Sequence, residues 1–178
     1  MMFGQETTLL RRKSTMLKKL FKQKREVNIV APINGKIIPI EEVPDPVFNQ
    51  KMMGEGIAII PEEGMVYSPV NGKVILIAET KHAIGLITED GVEILIHIGL
   101  ETVGLKGKGF TAKVNVGEDV SAGQLLMEVD LKYIGEHASN TITPIVITNS
   151  AEGTKNYRFT SEKVAKAGET VIITIEDK

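Results

Sequence analysis

The stretch APINGKIIPI, Ala31–Ile40, returns as SPVNGKVILI, Ser68–Ile77. Each copy has a proline, an Asn-Gly pair and then a branched aliphatic run, the pattern of a turn that delivers the chain into a β-strand. Nearer the C-terminus VGEDV (Val116–Val120) is echoed by AGETV (Ala167–Val171). Strand-and-turn units that occur twice predict a duplicated β-motif closing into a sandwich or barrel. Composition agrees. The chain is 42% hydrophobic but 4% aromatic, without Trp, so its core has to be aliphatic, and its Val, Ile, Thr and Gly favour strands and turns. Helical patterning is scarce, confined to the N-terminal tail and a short segment at Phe159–Lys163. The fold class expected is all-β.

A chain of 178 residues suffices for one domain with a full core, here 27–178, preceded by a tail, 1–26. The tail carries eight basic residues against two acidic ones, a net of +6, and the body thirteen against twenty-one, a net of −8. An acidic body argues against nucleic acid and suits a basic protein partner drawn in by long-range attraction. Within the tail, MLKKLFKQKR (Met16–Arg25) puts Met16, Leu17, Leu20 and Phe21 on one side of a helix and its lysines elsewhere. Such a segment could lie on an anionic membrane surface, and the plainer reading is a solubilising tail. Residues 1–15 carry no pattern, so Met16 could be the translation start. Having no cysteine excludes disulfides, thiolate metal sites and a cysteine nucleophile, and fits a reducing cytoplasm. No apolar run reaches the length of a membrane span and no signal-peptide pattern opens the chain. A cytoplasmic protein is expected, with membrane contact, if any, peripheral through residues 16–25.

Chemistry gathers around EILIHIGLETV, Glu93–Val103. By strand alternation Ile94, Ile96 and Ile98 share one face, while Leu95, His97 and Gly99 share the other, and Gly99 would leave room above the imidazole. A half-buried structural histidine is the bland alternative. In HAIGLITEDGVEILIHIG (His82–Gly99), a two-residue turn at Asp90-Gly91 would set His82 opposite Gly99 and His97 opposite Ile84. The two imidazoles would then be diagonal neighbours on one face, whereas a three-residue loop would put them on opposite faces. Thr80 would follow on the face of His82 if the strand continues. Paired imidazoles allow a metal site, a general acid and base, or a nucleophile with its support. Zinc lacks a third ligand at a recognisable spacing, His137 lying far off in a loop expected at the surface. Hydrolysis lacks an accompanying nucleophile or carboxylate pair. GLKGKGF (Gly104–Phe110) has the spacing of neither a Walker-type loop nor a dinucleotide fingerprint. VGEDVSAGQLLMEV (Val116–Val129) looks like the turn of biotinyl and lipoyl carrier domains, but no lysine occupies the hairpin tip that such carriers modify.

EEVPDPVFNQKMMGEGIAI (Glu41–Ile59), ETKHAIGLIT (Glu79–Thr88), GVEILIHIGLETVGLKGKGF (Gly91–Phe110) and TPIVITN (Thr143–Asn149) together closely resemble the glucose-type enzyme IIA proteins of the bacterial phosphoenolpyruvate-dependent sugar phosphotransferase system. The resemblance runs from about Val27 to the C-terminus. It implies an antiparallel β-sandwich or barrel built on a duplicated hybrid motif. It also implies a phosphocarrier in which His97 accepts a phosphoryl group from the small carrier HPr and passes it to a cysteine on the IIB domain of a sugar permease. His82 would support the phosphoacceptor and Thr80 would orient His82. An apolar docking patch of Val47, Phe48, Met52, Met53, Leu95 and Val103, edged by Asp45 and Glu101, is implied as well. Ile98 and Ala78 stand where enteric members carry aromatics, a departure that bears on partner preference rather than chemistry. The protein is expected to act as a monomer and to require no cofactor or metal. The alternative is a regulatory module whose unphosphorylated form binds permeases or metabolic enzymes, with zinc held between His82, His97 and a partner's carboxylate.

Overall fold

Both Asn-Gly pairs deliver the chain into a strand in the computed structural model, which describes residues 25–178: β2 (Gly35–Pro39) follows Asn34 and β5 (Gly72–Ile77) follows Asn71. The other strands are β1 (Glu26–Val30), β3 (Glu55–Pro61), β4 (Met65–Tyr67), β6 (Ala83–Ile87), β7 (Glu93–His97), β8 (Phe110–Ala112), β9 (Asp119–Val120), β10 (Leu125–Val129), β11 (Thr143–Ile147), β12 (Lys155–Phe159), β13 (Val164–Ala165) and β14 (Val171–Asp177). They pair antiparallel throughout, into an eight-stranded sheet of order β13-β2-β3-β11-β7-β6-β5-β9 and two three-stranded sheets, β1-β14-β12 and β4-β10-β8.

This order exposes the duplication. The eight-stranded sheet reads the same from either edge once β2, β3, β11 and β13 are matched with β5, β6, β7 and β9, and the two small sheets match β1, β14 and β12 with β4, β10 and β8. One copy, 65–129, is continuous and sits between β3 and β11 of the other. Matching hydrogen bonds support the equivalence: Asn34 Oδ1 accepts from the Ala167 N–H at 2.6 Å, and Asn71 Oδ1 from the Ala122 N–H at 2.8 Å. Likewise the Gly168 N–H donates to the Ala31 carbonyl at 2.9 Å and the Gly123 N–H to the Ser68 carbonyl at 2.8 Å. The C-terminal echo is therefore shifted from the one read in sequence. AGETV corresponds to AGQLL (Ala122–Leu126), six residues beyond the start of VGEDV, because it is the Ala-Gly turn after the edge strand that recurs in space.

The main core lies between the eight-stranded sheet and the two small ones, with Ile29, Ile59, Ile94, Ile96, Ile98, Leu126 and Ile173 buried in it. The opposite face of the large sheet carries a second, smaller core of Ile38, Ala58, Ala83, Leu95 and Val146. It is roofed by Ile40, Val43 and Phe48, from the segment that leaves β2 and forms α1 (Pro46–Asn49). Helix α2 (Leu131–His137) closes the route from β10 to β11. Both helices escaped the sequence reading, although each begins at an aspartate whose carboxylate caps it: Asp45 accepts from the Val47 N–H and Asp130 from the Tyr133 N–H, each at 2.9 Å. The helical expectation at Phe159–Lys163 is incorrect. Phe159 ends β12, where Tyr157 and Phe159 pack on the core while Arg158 points out, a period of two rather than 3.6. The amphipathic tail and the start at Met16 lie outside the described residues except for Arg25, which pairs with Asp90 at 2.9 Å. No helix among the described residues is long and apolar enough to cross a membrane.

Candidate functional site

The hairpin that carries both histidines closes differently from the two-residue turn. The Thr88 N–H donates to the Val92 carbonyl and the Gly91 N–H to the Thr88 carbonyl, both at 3.0 Å, with Gly91 at φ 78°, so Glu89, Asp90 and Gly91 make a three-residue loop. His97 accordingly lies opposite Ala83, not Ile84. Parity alone would then put His82 on the other face, yet the rings meet, with centroids 4.9 Å apart and planes at 72°. The reason is local. His82 precedes β6 and follows Lys81, whose φ of 57° turns the chain out of the strand, so alternation does not govern it. The Ile98 N–H still donates to the His82 carbonyl at 2.7 Å and ties the two segments together. Thr80 likewise belongs to the turn between β5 and β6 and not to a continued strand.

His97 stands at the end of β7, over the second core. Its Nδ1 lies 2.8 Å from the Gly99 carbonyl oxygen. A carbonyl can only accept, so this contact places the proton on Nδ1 and leaves the lone pair on Nε2. The role read for Gly99 thus changes. It is buried at φ 72°, and a Cβ there would sit 2.7 Å from Thr102 Cγ2 and 2.8 Å from the Asn140 carbonyl oxygen. Glycine is required to turn the chain and aim its carbonyl back at the imidazole, rather than to open space above it. The carbonyl itself went unread, although a glycine two residues after a half-buried histidine is a usable signal. Thr80 Oγ1 lies 2.6 Å from His82 Nδ1.

Burial pushes the pKa of His97 below its usual value; the nearby charge of His82 adds to this, and the Gly99 bond and Asp45 oppose it. Burial also lowers the pKa of His82. Both rings are therefore predominantly neutral at pH 7.

Around the imidazoles the residues of the implied patch divide. Val47, Met52, Met53 and Val103 are exposed, Met52 at 69% and Val103 at 56%. Phe48 and Leu95 are buried, at 4% and 7%, in the second core, and Phe48 sets its ring 5.0 Å from that of His97. These two form a floor under the histidine rather than a surface. Asp45 caps α1 beside His97, and Glu101 is exposed in a left-handed conformation at φ 56°. His137 is at the surface as expected, stacked on Tyr133 at 4.1 Å with Nδ1 donating to the Tyr133 carbonyl. Among the described residues no three His, Cys, Asp or Glu side chains converge to hold a metal ion.

Fold and site together define an antiparallel β-sandwich protein with a paired-imidazole centre on the outer face of its large sheet. The family described as phosphoenolpyruvate-dependent sugar phosphotransferase system, EIIA 1, matches residues 27–153, and the chain belongs to it. It is 51% identical over 166 residues to the PTS system glucose-specific EIIA component of Oceanobacillus iheyensis, covering 90% of this chain and 99% of that one. It is 58% identical over 121 residues to the PTS system glucose-specific EIICBA component of Staphylococcus carnosus, covering 68% of this chain and 18% of that larger protein. The solved glucose permease IIA from Mycoplasma capricolum superposes with a TM-score of 0.77 at 37% identity, over 84% of this chain and 96% of that one.

Proposed function

We propose that this protein relays phosphoryl groups on His97 for uptake of a sugar of the glucose class. Nε2 of His97 attacks the phosphorus of a phosphohistidine on HPr, and the phosphorus–nitrogen bond to the carrier breaks with its electron pair returning to the carrier's ring. A cysteine thiolate on a permease IIB domain then attacks the same phosphorus, and Nε2 departs with its pair. The observation that carries the reading is the 2.8 Å contact from His97 Nδ1 to the Gly99 carbonyl, which keeps Nε2 free of a proton through both steps.

His82 serves the transferred group. A hydroxyl proton from Thr80 on His82 Nδ1 leaves Nε2–H of that ring to donate to a phosphoryl oxygen, in a reaction that depends on positioning and charge stabilisation. Relatives in which EIIC, EIIB and EIIA are one chain support the IIB domain as the acceptor. Exposed Val47, Met52, Met53 and Val103 offer the apolar contact surface, its methionines adaptable to more than one partner, while Asp45 and Glu101 steer a basic one. The relay works in the cytoplasm as a monomer and without a cofactor. A regulatory target would meet the same surface before phosphorylation, and zinc bridging His82 and His97 there would take a further ligand from that target.

The test is intact mass after incubation with phosphoenolpyruvate, enzyme I and HPr. Wild type gains one acid-labile phosphoryl, His97→Ala gains none, and His82→Ala gains one but transfers it poorly to IIB. A folded wild type that gains nothing from active carriers overturns the reading.

A further inference from the structure

The turn that aims the Gly99 carbonyl is held in an unfavourable shape. Two of its residues, Gly99 at φ 72° and Glu101 at φ 56°, are left-handed, and for a glutamate that conformation is costly. Such a turn persists where its surroundings over-determine it. Here the fully buried Thr102, at 0% exposure, opens the 3-10 turn Thr102–Leu105, and its hydroxyl donates back to the Ile98 carbonyl at 2.9 Å. Its methyl group fills the place beneath Gly99 that a Cβ would claim. On the other side the Leu100 N–H donates to the Asn140 carbonyl at 2.8 Å, which anchors the turn to the segment before β11.

We propose that Thr102 is a positioning residue for the phosphoryl-transfer centre: by clamping the Ile98 carbonyl it holds the Gly99 carbonyl on His97 Nδ1 and so selects the tautomer with Nε2 unprotonated. Thr102 makes no hydrogen bond to either imidazole; its hydroxyl goes to the Ile98 carbonyl. Removing its hydroxyl while keeping its volume leaves a buried carbonyl without its donor, and the turn relaxes from the left-handed pair to satisfy it. The Gly99 carbonyl then leaves the imidazole, and His97 samples the tautomer protonated on Nε2, which has no lone pair at the nitrogen that attacks. The inference rests on the relay reading for its kinetic consequence, but the tautomer is measurable without any phosphoryl donor.

The experiment compares Thr102→Val, Thr102→Ser and wild type, each first shown folded by its Tm. Long-range 1H–15N correlation spectra report the tautomer of His97, and HPr-driven phosphoryl uptake is followed across pH. In Thr102→Val the Nε2-protonated form appears and uptake slows roughly tenfold at pH 7, the scale of one lost hydrogen bond, while Thr102→Ser restores both. Should Thr102→Val not fold, Thr102→Ala replaces it with the same expectation. An unchanged tautomer in the folded hydroxyl-free variant overturns the proposal, as does a rate loss that serine fails to rescue. Wild type that takes up no phosphoryl would instead overturn the relay reading, and the tautomer comparison would still decide the role of Thr102.

Discussion

At the scale of the residue, two imidazoles that look alike in sequence are set apart by what their Nδ1 atoms meet. His97 faces a carbonyl, which fixes where its proton must be; His82 faces a hydroxyl, which can give or take one. Because the charge of His82 lowers the pKa of His97, His82→Ala raises it, and an NMR titration that finds it unchanged or lower contradicts the coupling. The same shifts have a consequence for stability. Both folded-state pKa values lie below the ordinary value of 6.5, so between them and 6.5 the unfolded chain binds more protons. Stability contributed by these rings is present above about pH 6.5 and is lost as pH falls through the folded-state values. Urea unfolding at pH 5 and pH 7 should show the low-pH loss reduced in a His82→Ala, His97→Ala double variant.

At the scale of the element, the four residues of α1 hold the roof of the site. Asp45 does two things there: it caps the Val47 N–H and it sets a carboxylate near His97. The two are separable. Asp45→Asn keeps an oxygen for the cap and removes the charge, so stability should stay within ~0.5 kcal/mol of wild type while the pKa of His97 falls further. Asp45→Ala loses both and should cost about 1 kcal/mol, read by urea denaturation. Equal stability of the two variants would show that the cap matters little. At the β6–β7 hairpin, Glu89, Asp90 and Gly91 show why short loops resist reading: Asp-Gly suits a two-residue turn, but Gly91 also suits the left-handed last position of a three-residue one. The sequence is compatible with both, and the hydroxyl of Thr88, which accepts from the Val92 N–H at 3.1 Å, favours the longer loop.

At the scale of the whole molecule, the site lies beside the seam between the two copies of the repeat, where β7 of the inserted copy pairs with β11 of the outer one. Ile96, fully buried, is flanked there by Ile84 and Ile145 in the main core, on the sheet face opposite His97. Ile96→Ala should lower stability by roughly 2–5 kcal/mol, the range for deleting a buried aliphatic side chain, in a urea titration. A loss below about 1 kcal/mol would mean that this seam is not the rigid base the site rests on.

By sequence alone the class of fold and its duplication were legible in repeats and composition, and the two histidines stood out as a candidate pair. Repeated Asn-Gly turns, an aliphatic composition and period-two alternation are local signals that each residue carries with it. The sequence also named Thr80, Phe48 and Leu95 without saying that one sits in a turn and the other two are buried. Tertiary structure decided the nesting of one copy inside the other, the six-residue offset of the C-terminal echo and the meeting of rings that alternation would separate. It alone brought the Gly99 carbonyl to His97 and Thr102 to the turn behind it. Those contacts depend on backbone direction where the chain leaves a strand, and there left-handed residues end the periodicity on which a sequence reading relies.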